Sequence, residues 1–177
     1  MSNEEQYGRI SYTAAAPGAL QAMYGVEKYV RQCGLEEPLL DLVKLRASQV
    51  NGCAYCVDMH TKVARSLGET EQRLYEVGLW REAPFYTERE RAALAWTEAV
   101  TLVSIDHVPD GVYETARQHF DEKELIDLTA AIVAINGWNR LAIAFRTVPG
   151  TFQIGRPAPS DREAYSTSPG QPKAAGR

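Results

Sequence analysis

The chain has 177 residues, 45% of them hydrophobic, which suits one compact domain with a sizeable core and makes two domains unlikely to fit. Its 19 basic and 23 acidic residues leave a formal charge of −4, and no dense Lys/Arg run provides a footprint for nucleic acid or an anionic membrane. No stretch approaches the roughly 18 uninterrupted apolar residues of a membrane span, and the start MSNEEQYGRI lacks the basic and apolar regions of a secretory leader, so the expected location is cytoplasmic.

Helix signals recur along the chain, and almost no run has the strict alternation and β-branched enrichment of a half-buried strand, so the predicted fold class is all-α. Pro17 opens a first helix, because its missing N–H falls where a helix has no acceptor for it, and Gly34 closes that helix. Pro38 opens a second, PLLDLVKLRASQV, which stops at Asn51 and Gly52. A third begins at Gly52 or Cys53 and runs to Leu67 with Gly68 as its cap, and a short fourth follows Thr70. Two capping boxes mark the next long helices, Thr87 with Glu90 and Asp121 with Glu124, and between them Pro109 starts a short helix ending near Phe120.

The helix predicted over 122–147 is apolar nearly all round in LTAAIVAINGW, as expected of a central helix buried among others. Residues 1–150 are read as the helical domain. Residues 151–177 are rich in Pro, Gly, Ser and Ala with few groups able to build a core, so this tail is expected to be mobile or ordered only against a neighbouring subunit.

Within NGCAYCVDMH, two of the three cysteines stand three residues apart and a histidine follows four residues after the second. On a helix advancing roughly 100° per residue, Cys53, Cys56 and His60 fall within an arc of roughly 60°, shared with Val57, Ala64 and Leu67, which makes it the core-facing side. Asp58, Lys62 and Arg65 point elsewhere. A helix N-terminus stabilises a thiolate, which favours ionising Cys53, whereas His60 one turn beyond Cys56 favours that sulfur instead. These two effects leave the nucleophile open.

Competing readings are weaker. Three sparse cysteines do not make a secreted disulfide scaffold, and Cys33 is read as packing. A zinc site needs a further donor, and only His107 and His119 remain as histidines, so no metal is expected. Covalent haem attachment needs histidine where Val57 stands, and a thioredoxin-type site needs a βαβ context. Two inert buried cysteines beside a satisfied histidine are the plain structural alternative.

Residues 41–101, from DLVKLRASQV through NGCAYCVDMH to TEAVT, together with NGWNR near the end of the last helix, resemble the alkylhydroperoxidase AhpD-like branch of the carboxymuconolactone decarboxylase superfamily, whose mark is CxxCxxxH on a helix. The resemblance implies an all-α fold assembled as a homo-oligomer, trimer or hexamer. It implies a hydroperoxide substrate, no bound cofactor, and an external dithiol reductant such as a lipoyl protein. By the same analogy Cys56 is the peroxidatic thiol, Cys53 the resolving thiol and His60 part of the proton relay.

Two positions depart from the family's pattern. Where its relay has a glutamate this chain has Asp41, which without the resemblance reads as part of a solvated face with Lys44 and Ser48. Where the best-known members have a second histidine between the cysteines, this chain has Tyr55, a hydrogen-bond donor but a poor base near neutral pH. Trp138, Asn139 and Arg140 place an amide and a permanent charge in the most apolar helix, and Arg140 is expected to pair with a carboxylate between helices, Asp41 in the functional version. The rival functions are a carboxymuconolactone decarboxylase-like lyase, which has no use for a thiol pair, and a non-catalytic thiol redox sensor.

Overall fold

The structure is a computed structural model and describes residues 8–155; the expectations for 156–177 lie outside the described residues. The described chain is helical, with no β-strand: α1 Tyr12–Ala15, α2 Pro17–Gln32, α3 Glu37–Val50, α4 Ala54–Ser66, α5 Glu71–Glu76, α6 Glu88–Thr101, α7 Val103–Asp106, α8 Asp110–His119 and α9 Glu122–Ala144, with a 3-10 turn at Val77–Leu79. No helix among the described residues is long and apolar enough to cross a membrane.

Most boundaries fall where the punctuation put them. Pro17 is the first residue of α2, and both capping boxes form in full, Thr87 with Glu90 at the start of α6 and Asp121 with Glu124 at the start of α9. Pro38 sits one residue inside α3. The four-residue helices α1 and α7 were not anticipated, since so short a run carries no period. The last helix ends at Ala144 rather than near 147, because the N–H of Thr147 turns back to the carbonyl of Ala142 and Arg146 enters positive φ.

Two apolar clusters make up most of the core. One joins Leu39 and Val43 of α3 to Ala92, Ala93 and Trp96 of α6, Ala116 of α8, and Leu125, Leu128 and Ile132 of α9. The other joins Leu42 and Leu45 of α3 to Ala64 of α4, Leu74 of α5, Trp80 just after the 3-10 turn, and Leu94 of α6. Helix α3 therefore stands between them, buried along Leu39–Val43 and again at Leu45, Ala47 and Ser48. This corrects the expectation that the last helix is the central one. Helix α9 packs on α2, α3 and α6, yet Ile126 and Val133 face outward at 68% and 59% exposure. Its apolar character on all sides thus reflects an uncovered outer face as well as burial.

Between α3 and α4 the chain must reverse in three residues. Gly52 adopts φ +69°, a left-handed conformation that side chains resist, and the N–H of Cys53 closes the turn on the carbonyl of Ser48 at 2.9 Å. Helix α4 then folds back along α3, so that Ala64 near its end meets Leu42 and Asp41 near the start of α3.

Candidate functional site

Cys53 is the N-cap of α4 and Cys56 lies in its first turn. Cys53, Cys56 and His60 are 1%, 2% and 8% exposed, as their common arc requires, whereas Leu67 of the same arc sits at the C-cap, 53% exposed. Cys56 and His60 are four residues apart, about 6 Å along the helix axis. Ala142 of α9 and the half-buried Tyr55 pack against the two cysteines, both of which are free thiols.

The two sulfurs have opposite electrostatics. The thiol of Cys53 is lowered to about 7, mainly by a hydrogen bond from Cys56, with further help from the N–H groups of Cys56 and Tyr55 and the side chain of Asn139, while burial opposes it. The thiol of Cys56 is pushed up, because it donates to Cys53, is itself buried, and faces the Cys53 charge. Once it loses its first proton the pair holds the other between two sulfurs, with the anion favoured at Cys53, and it titrates as a unit. The backbone N–H groups act on Cys53 by proximity to the helix start; no close capping bond from its side chain forms. Cys53 also lines a cavity of about 210 Å³ with Gly52, Tyr55, Ala142, Arg146 and Thr147, and the buried Oγ1 of Thr147 has no hydrogen-bond partner among the described residues.

His60 lies deeper. Its imidazole is lowered to about 3, first by burial and then by the charge of Lys44, so it is neutral across the physiological range, and its Nε2 has no partner among the described residues. Asp41 faces the same α3–α4 interface and lines a second cavity of about 140 Å³ with Pro38, Leu42, Ala64, Leu67, Gly68 and Glu69. At 9% exposure it is not on a solvated face, which corrects that reading. The solvated-face pattern failed because Lys44 lies only 12% exposed against Glu27 at 2.9 Å and Ser48 is fully buried. Burial raises the Asp41 carboxyl to about 6 against the opposing pull of Lys44, and its Oδ2 also lacks a partner. No hydrogen bond joins Asp41 to His60 directly. Each thus keeps one buried polar atom without a partner among the described residues.

Arg140 does not do what was expected of it. It is exposed and donates to the carbonyl and Oδ1 of Asn136 in its own helix, at 2.9 and 3.1 Å, with no carboxylate partner among the described residues and no contact with Asp41. The buried member of that cluster is Asn139, with no exposed surface. Trp138 instead donates to Glu27 at 3.1 Å, the carboxylate that also holds Lys44. Asn139, Asn51, Asn136 and Ser48 form a polar network that sequence reasoning overlooked. Its signal was present in two amides three residues apart in the most apolar helix, both on one face.

Asp58 and Lys62, which point away from the thiol pair, bond each other at 2.7 Å and hold the segment after α9. Asp58 accepts from the N–H of Gly150 and Lys62 donates to the carbonyl of Phe152. This closes the side of the cysteine cavity formed by Thr147 and Pro149. No group of three or more His, Cys, Asp or Glu among the described residues is arranged to hold a metal ion.

Residues 15–99, the span that carries Asp41, Cys53, Cys56 and His60, match the model of the Carboxymuconolactone decarboxylase family. The chain is 46% identical over 136 residues to the uncharacterized protein YdfG of Bacillus subtilis (strain 168), covering 77% of this chain and 92% of that one. Among solved structures it resembles ATU0492 of Agrobacterium tumefaciens, a protein of unknown function and candidate AhpD antioxidant defence protein. The TM-score is 0.79 at 47% identity, covering 81% of this chain and 99% of that one. The debrominase Bmp8 shares the fold with a TM-score of 0.72 at 21% identity, covering 84% of this chain and 82% of that one. On the extent and identity of these matches, the chain belongs to the carboxymuconolactone decarboxylase family, in its AhpD-like group.

Proposed function

We propose that the protein is a cytoplasmic thiol-dependent peroxidase that reduces hydroperoxides through a Cys53–Cys56 disulfide. The observation that carries this reading is a buried CxxC pair at a helix start, with Cys53 on a cavity and a buried histidine one turn beyond Cys56. A shift of the shared proton to Cys53 leaves Cys56 as thiolate. Its sulfur attacks the distal oxygen of a hydroperoxide, the O–O bond breaks, and the alkoxide takes up a proton to leave as an alcohol. The resulting Cys56 sulfenic acid is attacked by Cys53, water leaves, and the disulfide forms. The balance is dithiol plus hydroperoxide giving disulfide, alcohol and water. An external dithiol, of which a lipoyl protein is the class the family resemblance implies, returns the pair to its reduced form by exchange.

His60 relays protons to and from Cys56, and Asp41 exchanges them with solvent through its own cavity; a carboxyl raised to about 6 is both donor and acceptor near neutral pH. The working unit is a homo-oligomer, trimer or hexamer. A second order of events is favoured by one observation, that Cys53 both lines the cavity and holds the anion: attack by Cys53 with resolution by Cys56. Sulfenic-acid trapping in Cys53→Ser and Cys56→Ser separates the two orders, because only the variant retaining the attacking sulfur is labelled.

Peroxide consumption with dithiothreitol as reductant tests the function itself. Sustained turnover in the wild type, lost in Cys56→Ser, is the expected result. One stoichiometric oxidation without turnover makes the protein a redox sensor, and no thiol oxidation at all leaves the lyase reading.

A further inference from the structure

Asn139 makes two hydrogen bonds that fix which way its carboxamide faces. Its Oδ1 accepts from Nδ2 of Asn51 at 2.9 Å, and its Nδ2 donates to Oγ of Ser48 at 3.1 Å. The partners on both sides favour this orientation. The Asn51 NH₂ lies among the carbonyl of Ala47 at 3.0 Å, Oδ1 of Asn136 at 2.8 Å and Oδ1 of Asn139 at 2.9 Å, its two protons shared among three oxygens, so the group Asn139 turns toward it is an oxygen. Ser48 commits its only proton to the carbonyl of Lys44 at 2.7 Å, so it accepts from Asn139. One N–H of Asn139 then remains, on a residue with no exposed surface and no water-facing side. A donor so placed needs an acceptor.

The cysteine sulfurs are the neighbours on which its side chain acts. Ala142, three residues further along α9 and so on the same face as Asn139, packs directly on Cys53 and Cys56. Ser48 is tied to Cys53 through the turn, since the carbonyl of Ser48 accepts the Cys53 N–H at 2.9 Å. A neutral thiol is a weak acceptor, and a thiolate is a strong one.

We propose that Asn139 is a positioning residue for the thiol chemistry: its free carboxamide N–H donates to the reduced Cys53–Cys56 pair and holds the single negative charge that the pair carries. The side chain lowers both thiols, as a donor shared between the sulfurs must. Because it stabilises the reduced anion and has only a poorer acceptor in the disulfide, Asn139 also makes the disulfide easier to reduce, which suits a pair that must be recycled by an external dithiol. The polar network that places two amides in the apolar helix is thereby given a chemical purpose.

This inference rests on the dithiol reading above, but its test follows thiol ionisation and does not require peroxide turnover. The rate of iodoacetamide alkylation of the fully reduced protein is followed against pH in the wild type, Asn139→Leu, Asn139→Asp and Ser48→Ala. The wild-type midpoint is expected near pH 7. It should move up by about one unit or more in both Asn139 variants, with alkylation at pH 7 slowed on the order of tenfold. Ser48→Ala disturbs the network and keeps the sulfur-facing N–H, so its midpoint should stay within a few tenths of the wild type.

An unchanged midpoint in a folded Asn139 variant, or an equal shift in Ser48→Ala, overturns the proposal and leaves Asn139 a structural residue. Should neither Asn139 variant fold, the wild type decides: the side-chain amide resonance of Asn139 should titrate with the alkylation midpoint and shift on disulfide formation. A resonance insensitive to both refutes the assignment.

Discussion

Asp41 and His60 lie on the same helix–helix seam and bias stability in opposite directions as pH changes. The carboxyl of Asp41 is raised by burial from 3.8 to about 6, so between those values the folded chain keeps a proton the unfolded chain has released, and stability falls as pH rises through that window. The imidazole of His60 is lowered by burial from 6.5 to about 3, so the unfolded chain takes up a proton the folded one refuses, and stability falls as pH drops through that window. The two slopes largely cancel between pH 4 and 6. Replacing Asp41→Asn removes only the first, so the variant should be more stable than wild type at pH 7 by about 1–2 kcal/mol and lose stability more steeply on acidification. Urea unfolding at several pH values measures both effects. Peroxide turnover should move the other way, slowed on the order of 10²-fold for loss of an acid–base group. Unchanged turnover in a stabilised variant would make Asp41 a buried carboxyl without a part in the relay.

At the scale of elements, the caps that marked the helix starts also carry tertiary load. Glu90 closes the capping box of α6 on the Thr87 N–H at 2.8 Å and, through its other oxygen, pairs with Arg73 from α5 at 2.5 Å. Arg73 is held as well by Glu69 at 2.9 Å and lies over the ring of Tyr86. Thr87→Ala removes the cap alone and should cost about 1 kcal/mol, while Glu90→Ala removes the cap and one of the two carboxylates that hold a mostly buried guanidinium and should cost about 2–4 kcal/mol. Denaturant unfolding of the two variants tests the order, and equal losses would confine Glu90 to a local role. Such caps are legible in sequence because they act between residues three apart. The Glu90–Arg73 pair was not legible, since nothing in either segment sets the packing of α5 on α6.

At the scale of the molecule, the outer face of α9 is unlike a solvated helix surface. Ile126 and Val133, two turns apart on one face, are 68% and 59% exposed, and Tyr29 of the neighbouring α2 is half exposed. Large apolar side chains left exposed on one helix face suit association, in keeping with the proposed homo-oligomer. Sedimentation velocity at micromolar concentration should give three or six times the monomer mass, and Val133→Glu should shift it toward the monomer by placing a charge at the contact. A monomeric wild type would leave α9 with an uncovered apolar face and would overturn the proposed assembly.

The sequence by itself determined the helical class, the helix starts and the common face of Cys53, Cys56 and His60, because these depend on proline geometry, short-range caps and a fixed helical period. Without the resemblance it placed Asp41 on the wrong kind of surface, and it chose Arg140 over Asn139 as the buried, helix-bridging residue of its cluster. Both errors have one cause: burial is a property of what packs against a residue from elsewhere in the chain. Only the reversal at Gly52 puts Asp41 against α4, and only the seating of α9 on α3 turns Asn139 inward to Ser48 and Asn51 while leaving Arg140 in solvent. The different surroundings of two chemically identical thiols were likewise decided by the tertiary structure, which gives Cys53 the cavity and the helix start and leaves Cys56 to donate to it.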